Sequence, residues 1–278
     1  MIEVRKLKNL QNLHTHSTYD DGKNTPLEMV EIAIEKGFDS IGFSGHSYMH
    51  YAPGASMSIE GTEEYKKEIS MLKEKYKGKI DVFCGLEFDL YSEIDLSGYD
   101  YLIGSVHYLK VGDKYVGFDR REYGLVKNVI DTYFNGNGIE FAKEYYKSIA
   151  TLPEYGNFDI IGHFDVVSKH VENGFLFDEN SDEYLEAAFG AIDALSGKIP
   201  YFELNTGAIG RGYKSKPYPS ENILREFNRL GFGAVISSDC HNGEYLDCYF
   251  EKTEELLRKC GFKERYILTN DGFKSVEI

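Results

Sequence analysis

Short apolar runs alternate along the chain with stretches whose apolar residues recur at helical spacing. The apolar runs predict β-strands over residues 10–16, 39–45, 80–88, 100–108, 159–166, 200–206 and 233–240, with a weaker candidate at 265–269. The amphipathic stretches predict helices over residues 26–36, 62–77, 139–151, 182–196, 220–230 and 251–260. Strands that alternate with helices favour a parallel sheet, and seven or eight such units in one domain indicate an α/β barrel.

The segment 110–138 departs from this alternation. It contains Gly112, Gly117, Gly124, Gly136 and Gly138, and it predicts a long loop or insertion after the fourth strand. Long loops in compact domains often carry function, but a plain surface excursion explains the same composition equally well. Both interpretations stay open.

The composition limits the possible functions. The chain has 278 residues, of which 42% are hydrophobic, so we expect one large domain that spans residues 1–278. A formal net charge of −15 disfavours a nucleic-acid-binding surface, which would need a basic stripe. It does not exclude an anionic substrate, because bound divalent ions would reverse the local field.

We find no sequence signal for a membrane or for an oxidising compartment. The four cysteines show no paired spacing, residues 1–11 lack an apolar targeting core, and no apolar run approaches the roughly 20 residues of a membrane span. We therefore expect a cytoplasmic protein that acts without a membrane. The oligomeric state stays open.

Polar clusters stand where the predicted strands end. They combine histidines with carboxylates in the motifs His14-Thr15-His16, Gly45-His46, Gly85-Leu86-Glu87, Ser105-Val106-His107, His163-Phe164-Asp165 and Asp239-Cys240-His241. The carboxyl ends of parallel barrel strands meet at one mouth, and residues two apart in a strand share a face. Because imidazole and carboxylate are the usual ligands of zinc, iron and manganese, the clusters predict a multinuclear metal site.

Some polar residues near these clusters are better explained without a metal. His50 and His170 are more typical of hydrogen-bonded core or surface histidines. Asp20 and Asp21 could each stabilise a turn, although we expect Asp21 to reach the site. Cys240 should face away from its two neighbours and belong to the core.

Four further residues are candidates for contact with a substrate or for proton transfer. Arg211 suits bidentate phosphate binding, with a solvated loop arginine as the alternative, and Lys169 is a weaker phosphate ligand. Asn205 could contact a substrate or, like Glu203, be a core residue with satisfied hydrogen bonds. Asp165 could orient a metal ligand or water, or protonate the leaving group. No motif for a covalent nucleophile occurs, so the chemistry points to water activated by metal.

In this order, from His14 to His241, the clusters resemble the polymerase and histidinol phosphatase (PHP) family of metallohydrolases. That resemblance implies a distorted (β/α)7 barrel, TIM-barrel-like, with three divalent ions of zinc, manganese or iron at the carboxyl ends of the strands. It also implies three ligand sets: His14, His16, Glu87 and Asp239; Glu87, His107 and His163; and Asp21, His46 and His241.

Within the family, Glu203-Leu204-Asn205-Thr206, Arg211 and Pro217-Tyr218-Pro219-Ser220 look like the histidinol-phosphate phosphatase branch. This likeness implies hydrolysis of L-histidinol phosphate to L-histidinol and phosphate in histidine biosynthesis. For that reaction we expect Glu87, Asp165 and Arg211 to be the catalytic residues. Two alternatives remain. The first is a family member that acts on a phosphotyrosine protein or an oligonucleotide end, and the second is a metal-stabilised module without catalysis.

Overall fold

A computed structural model gives the architecture of the chain and describes residues 9–278. Residues 1–8, within the segment predicted to lack a targeting core, lie outside the described residues. The helices are α1 (Pro26–Lys36), α2 (Ile59–Lys75), α3 (Tyr123–Tyr133), α4 (Gly138–Ile149), α5 (Asp182–Leu195), α6 (Gly207–Gly210), α7 (Glu221–Arg229) and α8 (Phe250–Lys259). The strands are β1 (Gln11–Asn12), β2 (Ser40–Phe43), β3 (Asp81–Asp89), β4 (Tyr101–Ser105), β5 (Tyr108–Val111), β6 (Lys114–Gly117), β7 (Ile160–Ile161), β8 (Tyr201–Asn205), β9 (Gly233–Ser237), β10 (Glu264–Thr269) and β11 (Gly272–Glu277).

Seven parallel strands form the central sheet in the order β1, β2, β3, β4, β7, β8, β9. The two ends of this sheet meet just beyond β1 and β9, where the His16 amide donates to the Cys240 carbonyl at 2.9 Å and the Cys240 amide donates to the His14 carbonyl at 3.0 Å. These two hydrogen bonds close the sheet into a barrel. The predicted barrel fold is therefore confirmed, and its closure lies inside two of the predicted ligand motifs.

Each of the seven predicted barrel strands is present, but several are shorter than predicted. The candidates at 10–16 and 159–166 shrink to β1 and β7, each of two residues. The candidate at 265–269 is a strand, yet it pairs antiparallel with β11 outside the barrel sheet. Since the barrel closes after β9, an eighth barrel strand has no edge to join.

The segment 110–138, for which a long loop or an insertion is predicted, is an ordered insertion, so only the loop alternative is wrong for most of it. It contributes to the antiparallel hairpin of β5 and β6 and contains helix α3. Buried Val116 of β6 and three buried residues of α3 (Val126, Val129 and Ile130) attach the insertion to the core. Its glycines interrupt the periodic pattern of apolar residues by which strands and helices are predicted. Gly112 and Gly136 lie in turns with φ of 60° and 76°, a conformation that favours glycine.

The outer helices pack their apolar faces onto the barrel and end where capping residues satisfy their backbone. In α1 the Thr25 side chain accepts a hydrogen bond from the Glu28 amide, the Glu28 carboxylate accepts one from the Thr25 amide, and Gly37 ends the helix in the left-handed conformation. Among residues 9–278 no helix has both the length and the apolarity needed to cross a membrane. A single domain over residues 1–278 stays a prediction.

The barrel interior below the strand ends is filled by Tyr101. This side chain is 1% exposed, and its hydroxyl donates to the carbonyls of Leu13 and Phe43. Gly85 of β3 faces the same ring, and a Cβ atom there would overlap it. The glycine in the motif that leads to Glu87 is therefore required by packing, because the ring occupies the volume of any larger side chain.

We predict that Gly85→Ala lowers the free energy of unfolding by about 1–3 kcal/mol, because the added methyl group overpacks the barrel against Tyr101. The control is Gly190→Ala in α5, where an added Cβ meets no atom within 4 Å. That substitution should raise stability by about 0.5–1 kcal/mol through helix propensity. Urea unfolding of both variants measures the difference, and equal shifts of the two midpoints would contradict the packing argument.

Candidate metal centre

The predicted ligands converge at the mouth of the barrel where the parallel strands end. They come from the ends of six strands or from the turns that follow them: His14, His16, Asp21, His46, Glu87, His107, His163, Asp239 and His241. His14, His16, Glu87 and His163 are 0–2% exposed, whereas Asp21, His46 and His241 are half-buried at the rim. The cluster thus reaches from the protein interior to the surface.

Glu87, near the end of β3, lies at the centre of the cluster. Its two carboxylate oxygens lie 2.8–3.6 Å from ring nitrogens of five histidines: His14, His16, His46, His107 and His163. Burial by itself would raise the pKa of this carboxyl, but the surrounding imidazoles, led by His14, hold it well below its usual range. The carboxylate is therefore ionised and can serve more than one cation.

Three groups of side chains bring their donor atoms within 4.8 Å of one another. These groups are His16, Asp21, His46 and His241; His14, His16 and Asp239; and His46, Glu87 and His107. The first contains a complete ligand set implied by the family resemblance, and the second lacks only Glu87 of another set. In the third, His163 Nε2 also lies 2.9 Å from Glu87 Oε1 and 3.0 Å from His107 Nε2.

The donor atoms at the centre of the cluster lack hydrogen-bond partners. Among the described residues the buried atoms without a hydrogen bond include His14 Nε2, His16 Nε2, Asp21 Oδ1, His46 Nδ1 and Glu87 Oε2. Their nearest polar neighbours, at 2.8–3.3 Å, are other donor atoms of the same cluster. Leaving so many buried polar atoms unsatisfied is costly, and native proteins rarely do so. Their convergence fits divalent cations, which would be coordinated by imidazole nitrogens and carboxylate oxygens.

A second layer of carboxylates fixes how three of the rings point. Glu203 Oε2 lies 2.8 Å from His14 Nδ1. In the same way Asp20 Oδ2 lies 2.6 Å from His16 Nδ1, and Asp89 Oδ2 lies 3.1 Å from His107 Nδ1. Each ring therefore presents its other nitrogen to the centre. This pairing is typical of metal-binding histidines, because it sets the tautomer and makes the ligand more basic.

Sequence reasoning missed Asp89 and treated Asp20 only as a turn residue. A signal existed for Asp89, because it lies two residues after Glu87 in the same strand and therefore shares its face. Asp20 also accepts hydrogen bonds from the amides of Ser17 and His46. These contacts join the loop after β1 to the loop after β2.

The carboxylates of the cluster favour positive charge on its imidazole rings. Burial would lower the pKa of His16, but Asp20 and Asp239 together raise it to about 10. In the same way Glu87 raises the pKa of His46 to about 9 against the effect of burial. Divalent ions would compete with protons for these nitrogens, so metal affinity should fall as the pH falls.

A cavity of about 390 Å³ opens above the cluster. Arg211 lies in its wall and donates from Nη2 to Asp239 Oδ2 at 2.7 Å and from Nη1 to the Asp239 carbonyl at 2.8 Å. Lys169 also lines the cavity and forms a 2.6 Å ion pair with Asp119 Oδ1. Both predicted phosphate ligands therefore reach the cavity, and each is held in place by a carboxylate.

Two predicted site residues lie elsewhere. Asn205 is fully buried, and its side chain donates to Glu203 Oε1 and accepts from the Gly207 amide, so it supports the outer carboxylate and does not line the cavity. Asp165 is also fully buried, and its Oδ2 accepts from the Ser220 amide. The expected alternation with His163 fails because β7 ends at Ile161 and the chain turns. As direct contacts of a substrate, both predictions need correction.

The histidines outside the motifs behave as expected. His170 is buried, with Nε2 2.9 Å from the Arg120 carbonyl, and His50 is exposed beside Tyr51 and Tyr115. Neither occurs in the three donor groups. Cys240 is 1% exposed and belongs to the hydrophobic core, which confirms its predicted orientation.

Comparison with known proteins places these features in one family. The model of the family described as the PHP domain matches residues 12–207, which is more than half of the chain. The probable histidinol-phosphatase of Deinococcus radiodurans is 27% identical over 266 residues and aligns with 90% of this chain and 92% of its own length. The histidinol-phosphatase of Lactococcus lactis is 27% identical over 275 residues, with 94% of each chain covered.

A solved structure is similar to this chain in both fold and sequence. Histidinol phosphate phosphatase from Lactococcus lactis, crystallised in complex with zinc, L-histidinol and phosphate, matches with a TM-score of 0.72 and 26% sequence identity. The match covers 96% of this chain and 99% of that chain. It supports the TIM-barrel-like architecture and metal binding at the cluster, while the role of each individual ligand stays a prediction.

We predict that Glu87→Gln loses both bound divalent metal and phosphatase activity, because the change removes the central charge that five histidines face. Metal analysis after dialysis, together with phosphate release from p-nitrophenyl phosphate, measures the two losses. Glu93→Gln, at an exposed position nearby, is the control and should behave like the wild type. Full metal content and activity in Glu87→Gln would exclude a central role for this carboxylate.

Proposed function

This chain belongs to the PHP domain family, and on that premise we propose that it is a metal-dependent phosphomonoesterase whose substrate is L-histidinol phosphate. The observation that carries the proposal is the convergence of buried imidazole and carboxylate atoms that lack hydrogen bonds, next to a cavity that Asp21, His46 and Asp239 line and whose wall holds cationic side chains. The names of the relatives support the choice of substrate, since two of them are called histidinol-phosphatases or probable histidinol-phosphatases over nearly their full lengths.

Three ions are proposed, held by the three ligand sets that the family resemblance implies. The structure supports this number because it contains three donor groups. The first shares His16 with the second and His46 with the third, and both histidines lie close to Glu87. Such ions would lower the pKa of a water molecule and neutralise negative charge on the phosphoryl oxygens. The choice among zinc, manganese and iron stays open, although the related structure contains zinc.

Arg211 is proposed to bind the phosphoryl group and to stabilise charge that develops on its oxygens. Its two terminal nitrogens contact Asp239, which fixes the guanidinium beside the cluster, and its Nε is buried without a hydrogen-bond partner among the described residues. The guanidinium is therefore placed before the substrate arrives. No conformational change has to bring it to the cavity. Replacing Arg211 should therefore weaken phosphate binding.

Asp165 is not retained as the proton donor. Burial raises its pKa to about 6, which would suit an acid, but the side chain does not line the cavity and accepts a hydrogen bond from the Ser220 amide. A general acid must reach the leaving oxygen directly or through one water. Its position favours a supporting role beneath the loop that precedes α7.

The size of the cavity favours a small ester. Its volume of about 390 Å³ lies at the lower end of the range for small-molecule sites. A structural metal module needs only one closed site, whereas here the donor groups open into this cavity. Phosphopeptides and oligonucleotide ends remain outcomes of the substrate test.

We predict that the metal-loaded protein hydrolyses L-histidinol phosphate with a kcat/KM at least a hundredfold above that for p-nitrophenyl phosphate, equal to about 2.7 kcal/mol of transition-state preference. Steady-state phosphate release with zinc- or manganese-loaded protein provides the measurement. If only p-nitrophenyl phosphate is hydrolysed, the phosphoesterase assignment survives and the substrate is wrong. If neither ester is hydrolysed by metal-loaded protein, the assignment as a phosphomonoesterase fails as well.

A further inference from the structure

The cavity wall contains one carboxylate that the proposed metal ligands do not use. Three aspartates line the cavity: Asp21, Asp119 and Asp239. Asp21 and Asp239 belong to the donor groups. Asp119 belongs to none of them, and its side chain, which is 22% exposed, lines the cavity. Asp119 is therefore the carboxylate of this wall that a positively charged part of a substrate could contact.

The insertion between β4 and β7 holds Asp119 firmly. The residue directly follows Phe118, which is 2% exposed and packs against Phe141 and Tyr145 of α4. The Phe118 amide also donates to the His107 carbonyl at 3.1 Å, so the position of Asp119 is tied to a predicted metal ligand. The backbone that carries this carboxylate is therefore held in place beside the cluster.

Asp119 pairs with Lys169, one of the proposed phosphate ligands. The Lys169 Nζ lies 2.6 Å from Asp119 Oδ1 and 4.4 Å from the centre of the Tyr213 ring. The lysine side chain is only 9% exposed. The pair places one positive and one negative group next to each other in the wall, and both groups line the cavity.

An amino group close to a phosphate ester has the same two charges as this pair. In L-histidinol phosphate an ammonium group is attached to the carbon next to the one that carries the phosphate. We propose that Asp119 and Lys169 form a recognition pair for such aminoalkyl phosphates, in which Asp119 binds the ammonium group and Lys169 binds the phosphate. This inference rests on the proposed phosphomonoesterase function and adds the residues that select its substrate class.

The pair explains selectivity through the cost of leaving a charge without a partner. An aminoalkyl phosphate replaces one internal ion pair by two new ones, so every charge keeps an opposite neighbour. A phosphate ester that lacks the amine must share the Lys169 ammonium with Asp119, and two anions beside one cation leave negative charge uncompensated in a mostly buried site, which is unfavourable. The site should therefore reject esters without an amine, because rejection follows from unpaired polar groups.

We predict that the wild type prefers L-histidinol phosphate over its des-amino analogue, 3-(imidazol-4-yl)propyl phosphate, by at least tenfold in kcat/KM. Asp119→Asn should reduce this preference to about twofold or less, mainly by raising KM for the amine-containing ester. Asp113→Asn, an exposed aspartate in the turn of the β5–β6 hairpin, is the matched control and should keep the wild-type preference. Asp119→Glu, which retains the charge, should restore part of the preference.

A second substrate pair separates failure of this inference from failure of the proposed function. If L-histidinol phosphate is not a substrate, 2-aminoethyl phosphate and ethyl phosphate still differ in the amine, and the wild type should prefer the former. Equal kcat/KM values for both members of each pair in the wild type would overturn the inference. A loss in Asp119→Asn that is the same for esters with and without the amine would also overturn it, since it would show that Asp119 only holds Lys169.

Discussion

The carboxylate of Glu87, buried among five imidazole rings, is the interaction on which the site depends. Because Glu87 is only 1% exposed, its negative charge must be compensated by nearby groups. These groups are histidines that follow different strands, and only a closed barrel brings them together. The same residues help to close that barrel, because the backbone of His14 and His16 pairs with Cys240 between β1 and β9. Fold and site are therefore built from one set of contacts, and Gly85 and Tyr101 supply the packing beneath them.

Much of this arrangement could be predicted from the sequence, because strand ends in a parallel barrel converge and the histidine and carboxylate motifs mark those ends. The prediction failed where the strand geometry stopped early. Since β7 ends at Ile161, Asp165 does not share the face of His163, and a rule based on alternation misplaces it. Asn205 lies where alternation puts it, but its neighbour Glu203 takes up its amide. The sequence alone could not show which buried polar group satisfies which other.

The barrel strands and the insertion between β4 and β7 contribute different residues to the site. The strand ends provide the metal-binding groups, whose spacing the barrel fixes. The hairpin of β5 and β6 then delivers Asp119 to the cavity wall, opposite in sign to Lys169 and close to His107. Barrel enzymes commonly vary their specificity through such loops, while the barrel itself stays constant. Glycine-rich composition hid this role in the sequence, because those glycines lie in turns or near the ends of strands and helices.

Anomalous diffraction from crystals of the zinc-loaded protein, recorded above and below the zinc absorption edge, tests the central claim most directly. The account predicts three zinc peaks at the barrel mouth, each among the nitrogen and oxygen atoms of one proposed ligand set, with Glu87 between two of them. The buried atoms of His14, His16 and Glu87 that lack hydrogen-bond partners should face these peaks. Zinc peaks only at surface residues, with no peak at the cluster, would contradict the account.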